Sequence, residues 1–312
     1  MNKNLWKVLL CILLLIALDR LVGAGLRYLY FKPDTGKYHD LTYAIDSTRA
    51  EVVVIGSSRA SHSYVSQVLE DSLGLSVYNA GMEGAKFLHQ YATFKGITSR
   101  YKPKMIIWDY WEGLSYSELN YLELTTVSPY YFTHPAIQKL IDDTRPNEKY
   151  KMLCAVYPFN SSLVYNLNKS LSVYKNKEKS TSVKGWIPLE RTWNEPLAVA
   201  DSAGVGLPLD TNCVKLYTSA VKYCRENHIK LYMVQSPFFI AYRHPTYYDV
   251  VAQKIAAENG VPYFNFFNDS TALSSPKYFA EPRHLNDEGA HMFTTKLAIA
   301  IKKTEAELRQ KH

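Results

Sequence analysis

Short apolar runs alternate with amphipathic stretches along most of the chain. Five runs rich in β-branched and aromatic residues have the length of buried strands. They occupy residues 51–55, 76–79, 105–109, 229–235 and 262–267. Stretches with apolar residues at helical spacing lie at residues 64–73, 84–101, 210–227, 247–259 and 286–309. This alternation predicts an α/β fold, a flavodoxin-like three-layer sandwich with a five-stranded parallel sheet and helices on both faces.

The alternation stops between residues 111 and 208, where the chain is rich in aromatic residues, Asn and Ser. It resumes afterwards and completes the sheet. We therefore interpret 111–208 as an inserted cap, and 51–312 as one domain that contains it. The aromatic side chains of the insertion suit either packing against the sheet or lining a groove for a glycan.

The N-terminus carries the one membrane signal of the sequence. Lys3 and Lys7 precede an apolar run at residues 8–18, and a second apolar run follows Asp19 and Arg20. This layout predicts an uncleaved signal anchor over 1–27, with the N-terminus in the cytoplasm and the rest outside. An amphipathic helix packed on a cytosolic domain is the alternative. Residues 28–50 are interpreted as a linker to the domain.

Composition excludes several classes of protein. The 312 residues carry 36 Lys+Arg against 29 Asp+Glu, a formal net charge of +7, without a dense basic block of the kind that binds nucleic acid. A mean hydropathy of −0.22 excludes a polytopic membrane protein. No spacing of Cys and His resembles a zinc site. We predict no metal, no cofactor and no nucleic-acid partner.

Candidate chemistry lies where the predicted strands end, because ligands of doubly wound sheets bind at the carboxyl ends of the strands. Ser58 follows the first strand in a Gly-Ser-Ser turn that leads into a helix. His284 precedes the last helix, with Glu281 three residues earlier. Serine, imidazole and carboxylate are the groups of a nucleophilic triad. By spacing alone, a Ser in such a turn is more often a helix N-cap, and a lone His is more often structural.

Three short motifs together resemble the SGNH/GDSL hydrolase superfamily. They are Gly56-Ser57-Ser58 after the first strand, Asn79-Ala80-Gly81 after the second, and Glu281-x-x-His284 before the last helix. The first motif and the single anchor are most similar to the membrane-anchored branch of that superfamily. This branch includes the D-alanyl transfer protein of teichoic acid synthesis and the alginate O-acetylation proteins.

The resemblance implies roles for five groups. Ser58 is expected to be the nucleophile and His284 the base, with Glu281 in place of the family's Asp. The backbone N–H groups of Ser58 and Gly81 are expected to form the oxyanion hole. The family's Asn after the third strand is missing, since Asp109-Tyr110-Trp111-Glu112 stands there. The Tyr110 hydroxyl or the Trp111 N–H is then the candidate replacement donor.

The same resemblance sets the expected function. It implies O-acyl, chiefly acetyl, transfer to or from a cell-surface polysaccharide, by a domain anchored in the cell inner membrane and facing the periplasm or extracytoplasmic space. The expected partners are an acylated carbohydrate and a multispan membrane acyltransferase. Four residues near the strand ends are candidates for substrate binding: Arg59, His62, Asn79 and Trp111. The alternative is a catalytically degenerate glycan-binding or scaffold protein, which the missing Asn and the Glu281 substitution favour.

Overall fold

A computed structural model describes residues 4–110, 113–165, 167–168, 182–201 and 208–310. Its centre is a parallel sheet of five strands in the order β2-β1-β3-β5-β7. These strands are β1 (Val52–Ile55), β2 (Val77–Asn79), β3 (Met105–Asp109), β5 (Lys230–Gln235) and β7 (Tyr263–Asn265). The order is that of a flavodoxin-like fold and confirms the predicted α/β class.

Two smaller sheets flank the carboxyl edge of the large one. Strands β4 (Ala198–Ala200) and β6 (Ile240–Tyr242) pair in parallel. Strands β8 (Phe279–Glu281) and β9 (His284–Leu285) form an antiparallel hairpin. Both pairs are too short to leave a periodic signal in the sequence, which is why the strand prediction did not include them.

Residues 28–50, predicted to be a linker, belong to the core instead. Helix α1 (Leu5–Phe31) continues past the expected end of the anchor, and α2 (Lys37–Thr42) and a π-helical turn (Tyr43–Ser47) follow it. Tyr30 and Tyr38 are buried with their ring centroids 5.1 Å apart. The linker prediction was wrong because the buried side chains, such as Tyr30, Leu41 and Ile45, are spread over short helical turns and do not form one long periodic stripe.

The remaining helices lie on both faces of the sheet or within the insertion. A typical start is that of the helix after Asp210, whose carboxylate accepts hydrogen bonds from the N–H groups of Asn212 and Cys213 at 3.0 and 3.1 Å. The helices are α3 (Ser58–Ser63), α4 (Ser66–Leu73), α5 (Phe87–Arg100), α6 (Glu118–Glu123), α7 (Pro135–Thr144), α8 (Glu148–Lys151), α9 (Thr211–Glu226), α10 (Tyr247–Glu258), α11 (Ser270–Leu273) and α12 (Asp287–Gln310).

The side chains of each strand point alternately to the two faces of the sheet, so the hydrophobic core has two layers. Val53 of β1 packs in the cluster that contains residues of α1, α2, α5, α9 and α10. Val52 and Val54 pack in the cluster on the other face, with residues of α4 and α12. Successive side chains of a strand point to opposite faces, so a run of apolar residues serves both layers at once.

The insertion adds to the first of these layers and also reaches the carboxyl edge of the sheet. Its helices α6 and α7 pack against α5, and Ile137 and Leu140 of α7 are buried in the same cluster. A later part of the insertion crosses the end of α3, where the Trp186 indole N–H donates to the His62 carbonyl at 2.9 Å and the Ile187 N–H donates to the Ser61 carbonyl at 2.9 Å. The insertion therefore supports the α3 region directly.

Candidate active site

Ser58 is the first residue of α3, immediately beyond the carboxyl end of β1. The turn before it requires glycine, since a Cβ at Gly56 would lie 2.6 Å from the Ala60 Cβ and 3.0 Å from the Asp109 Cβ. Ser57 is the N-cap of the helix, and its hydroxyl accepts the Arg59 N–H at 3.4 Å. The N-cap role that the sequence allowed for Ser58 thus belongs to its neighbour, which leaves the Ser58 hydroxyl available for another partner.

That partner is His284, which is 226 positions away along the chain. The His284 Nε2 lies 2.7 Å from the Ser58 Oγ. The antiparallel hairpin of β8 and β9 places Glu281 directly opposite His284 in its register. The Glu281 Oε1 is bonded to the His284 Nδ1. Since a carboxylate only accepts, Nδ1 carries the proton and Nε2 is left to accept the one on Ser58.

The surroundings of His284 favour its neutral form. Burial lowers the pKa of the imidazole below its usual 6.5, and it outweighs the Glu281 charge, which raises that pKa. The neighbouring His62 and Arg59 also lower it through their charges. At pH 7 the ring is therefore uncharged and able to accept a proton, as a general base must be.

His62, a candidate substrate-binding residue, packs against His284 and does not line the cavity. Its ring meets that of His284 edge to face, with centroids 5.2 Å apart. Its Nδ1 lies 2.8 Å from the Ile187 carbonyl oxygen and its Nε2 lies 3.4 Å from the Glu83 Oε1. The hydrogen bond from His62 lowers the pKa of Glu83. His62 is positioned to hold the plane and the charge environment of His284.

Arg59, a second such candidate, has its guanidinium committed to the protein. Its Nε donates to the Ser236 Oγ at 3.0 Å, and the guanidinium carbon lies 5.5 Å from the centre of the Phe238 ring. The Asp109 Oδ2 is 3.9 Å from the same nitrogen, and both side chains are buried. Arg59 borders the cavity, but Asp109 balances its charge. The hydrogen bond from Arg59 to Ser236 joins α3 to the end of β5.

Asn79, the third candidate, is buried and holds local backbone. Its Nδ2 donates to the carbonyl oxygens of Ala60 and Tyr64 at 2.7 and 2.9 Å. Its Oδ1 accepts the Gly81 N–H at 2.9 Å. The Gly81 N–H, expected in the oxyanion hole, is thus occupied by an internal hydrogen bond in this conformation. Gly81 is needed for packing, because a Cβ there would lie 2.5 Å from the Ser61 nitrogen.

Tyr110, one of the two replacement donors considered for the missing Asn, does not line the cavity. Tyr110 is 1% exposed, and its ring packs against Tyr217 and Tyr263 on the helix-covered face of the sheet. Trp111, also a candidate for substrate binding, lies outside the described residues. The Ser58 N–H is the first of its helix and has no partner within that helix.

Ser58 and His284 open into a cavity of about 430 Å³. The start of α5 and the beginning of the insertion form the opposite wall of the cavity. The residues that line this wall are Gly84, Ala85, Lys86, Phe87, Gln90, Gly113, Ser115, Ser117 and Asn120. Two exposed cations at its border, Lys86 and Arg283, were absent from the sequence prediction. Arg283 directly precedes His284 in the terminal motif, and this position in the sequence could have predicted that it lies at the cavity. Within the described ranges, no three His, Cys, Asp or Glu side chains come together as a metal site.

Comparison with known proteins gives likenesses of fold only. No family model matches the chain, and no curated protein matches it. Among solved structures, the chain is similar to a psychrotrophic esterase, EstA, from a Pseudoalteromonas species, with 10% identity over 82% of this chain and 98% of that one and a TM-score of 0.44. A putative acylhydrolase from Bacteroides fragilis shares 12% identity over 81% of this chain and 86% of that one, with a TM-score of 0.38.

A lipase/acylhydrolase from Enterococcus faecalis is similar at the same level. It shares 10% identity over 81% of this chain and 95% of that one, with a TM-score of 0.36. The strand order of the sheet is what identifies the fold class of this chain.

Proposed function

We propose that this protein catalyses acyl-ester transfer or hydrolysis through an acyl-Ser58 intermediate. The observation that supports the proposal is the hydrogen-bonded series from Ser58 through His284 to Glu281, at the carboxyl edge of the sheet and open to a cavity. A hydroxyl bonded to a neutral imidazole, which is itself oriented by a carboxylate, is the arrangement that activates a serine.

The first half of the reaction forms the acyl-enzyme. The Ser58 Oγ attacks the carbonyl carbon of the ester while its proton passes to the His284 Nε2, and Glu281 stabilises the imidazolium that results. The tetrahedral intermediate collapses when the bond from carbon to the leaving oxygen breaks and His284 returns the proton to that oxygen. The products are a free alcohol and acyl-Ser58.

The second half regenerates the serine. His284 takes the proton of an acceptor hydroxyl, whose oxygen attacks the acyl carbon, and then returns that proton to the Ser58 Oγ. A sugar hydroxyl as acceptor makes the protein a transferase, and water makes it an esterase. The same groups serve both reactions, so the acceptor is decided by what the cavity binds.

Oxyanion stabilisation is the weak part of this site. The Ser58 N–H supplies one donor, and the Gly81 N–H becomes a second if its hydrogen bond to Asn79 opens. The missing side-chain donor is worth about 100- to 1000-fold in rate in enzymes that have one. We therefore expect turnover that is slow for a serine esterase.

The substrate that we propose is an O-acylated, chiefly O-acetylated, cell-surface polysaccharide. The sequence motifs and the single apolar helix, both similar to the membrane-anchored branch, support this choice. Helix α1 is long and apolar enough to cross a membrane. We propose that the domain faces the extracytoplasmic space and works with a multispan membrane acyltransferase that supplies the acyl group.

Hydrolysis of an aryl acetate by the full chain tests the chemistry. We expect Ser58→Ala to lower kcat by about 10⁴-fold or more, since it removes the nucleophile. Ser63→Ala is the matched control: Ser63 lies in the same helix and is buried, and it does not line the cavity. Equal rates for wild type and Ser58→Ala would overturn the proposal.

A second candidate function is a degenerate protein of this fold that binds a glycan or acts as a scaffold. The observation that favours it is the Gly81 N–H bonded to Asn79, together with the missing third oxyanion donor. Binding of an acetylated polysaccharide by Ser58→Ala and wild type alike, without release or transfer of acetyl by either, would support this second candidate.

A further inference from the structure

Helix α1 has two parts with different surroundings. Residues 5–18 stand clear of the domain and are exposed. Beyond them Gly23, Leu26 and Tyr30 are buried against the domain. The helix therefore leaves the folded body near Asp19, with no flexible tether between the apolar part and the domain.

A short segment of the insertion holds the helix at this exit point. The Asp19 carboxylate accepts the Ala155 N–H at 2.9 Å and the Cys154 S–H at 2.9 Å. The Arg20 Nη2 donates to the Leu153 carbonyl at 2.6 Å. The two charged residues that interrupt the apolar run thus have partners in the backbone of one loop, which reduces the cost of holding them beside a membrane.

Glycine allows this contact to be close. A Cβ at Gly23 would lie 2.5 Å from the Ala155 Cβ and 2.7 Å from the Ala155 carbonyl oxygen. The loop at 153–156 and the helix backbone therefore touch directly, and the height of the loop along the helix axis is fixed.

Helix length then determines where the loop lies relative to a bilayer. A span of the hydrocarbon core, about 30 Å thick, takes about 20 residues at 1.5 Å each. Residues 5–18 supply about 14 of these, or about 21 Å. The apolar part is therefore shorter than the core. A short span is accommodated by local thinning of the bilayer, which leaves Asp19, Arg20 and the loop that they hold at its edge. When α1 spans the membrane, the loop is brought to the bilayer surface.

The side chains next to this loop suit such a position. Tyr150 and Leu153 have large side chains with apolar surface, yet they are 63% and 70% exposed. Lys149 and Lys151 flank Tyr150 and are exposed as well. An aromatic ring between two lysines, with an aliphatic side chain close by, is typical of the interface between headgroups and acyl chains, where lysine also attracts anionic lipids.

We propose that residues 149–153 form a membrane-contact segment that seats the domain directly on the bilayer. Its occupant is the headgroup layer of an anionic phospholipid membrane. The segment fixes the height and orientation of the domain, and thereby of its carboxyl-edge cavity, above the surface. This inference rests on the proposed insertion of α1 in a membrane, and it is independent of the chemistry proposed at Ser58.

Fluorescence quenching in nanodiscs tests the proposal on the full chain. An environment-sensitive dye is attached to Leu153→Cys in a Cys11→Ser/Cys154→Ser background, where serine keeps a donor for Asp19. Cys213 and Cys224 are buried and are left in place. Discs of phosphatidylcholine and phosphatidylglycerol are compared with matched discs whose lipids carry a nitroxide near the top of the acyl chain.

We expect the nitroxide to cause a loss of emission at position 153. The matched control is Ile299→Cys, which is 64% exposed on α12, across the sheet from α1, and it should keep its emission. A dye on the native Cys11, in the Cys154→Ser chain, should be quenched. Quenching at Cys11 without quenching at 153 would mean that the domain is held away from the bilayer, and absence of quenching at both would mean that the helix does not insert. Either result overturns the proposal.

Discussion

Two adjacent serines at the end of β1 show how position decides what a side chain does. Ser57 uses its hydroxyl to cap α3, whereas Ser58 directs the same group toward His284 at 2.7 Å. Glu281 likewise reaches the imidazole although it is one methylene longer than the Asp of the resembled family. The hairpin register compensates for the difference, because it sets Glu281 opposite His284.

The pH dependence of the reaction follows from the lowered pKa of His284. The base must be neutral, so kcat/KM for an aryl acetate should fall as pH drops through that pKa. Because burial lowers it, the acid limb should lie below pH 6.5 and the rate should be flat just above it. A limb at or above 6.5 would contradict the assignment of His284 as the base.

Glu281→Gln, measured in the same assay, removes the charge of this side chain while keeping its size. The carboxylate raises the pKa of His284, so its removal should move the acid limb to still lower pH. It should also lower kcat by about 10⁴-fold, as the loss of the orienting acid does in other triads. An upward shift of the limb, or an unchanged kcat, would show that Glu281 has no such role.

At the level of elements, the five strands of the sheet were predictable because buried parallel strands are continuous apolar runs. The β8–β9 hairpin was not, since its strands are two and three residues long and its register comes from tertiary contacts. The sequence motifs predicted Ser58, His284 and Glu281 together as candidate catalytic residues. They did not predict that the Gly81 N–H is bonded to Asn79. This is a local bond between residues two apart, and the Asn79 side chain is held in place for it by the carbonyls of Ala60 and Tyr64.

Gly81→Ala tests how closely β2 and α3 are packed. The added Cβ would lie 2.5 Å from the Ser61 nitrogen and 2.7 Å from the Ala60 Cβ, so the start of α3 must shift. We expect a loss of about 1–3 kcal/mol in the free energy of unfolding, measured in denaturant, as for other overpacked cores. Gly25→Ala, where the added Cβ meets nothing within 4 Å, is the control. Equal stability of the two variants would show that the junction is loose.

For the whole molecule, the division between the exposed apolar segment and the folded domain lies inside α1 and not after it. Leu26 and Tyr30 belong to the same cluster as Val53 of the sheet, so the end of the helix is domain core. Charged residues within an apolar run were visible in the sequence. Their partners at 153–156 were not, because those partners are backbone groups more than 130 positions away.

Truncation locates this division experimentally. A chain beginning at residue 19 keeps Leu26 and the Asp19 contacts, whereas one beginning at residue 28 loses them. We expect the shorter chain to unfold at a lower temperature by circular dichroism, with a loss on the order of 2–5 kcal/mol, as for removal of a buried leucine. The same unfolding temperature for both chains would show that α1 contributes nothing to the domain.

Labelling with a serine-directed fluorophosphonate, followed by mass mapping of the peptides, tests the central claim most directly. The reagent reacts with a serine that a base has activated, and it does not depend on the identity of the natural substrate. We predict one adduct, on Ser58, that disappears in His284→Ala and persists in Ser63→Ala. Wild-type protein without an adduct on Ser58, or with the same adduct after His284 is removed, would contradict an activated serine at this site.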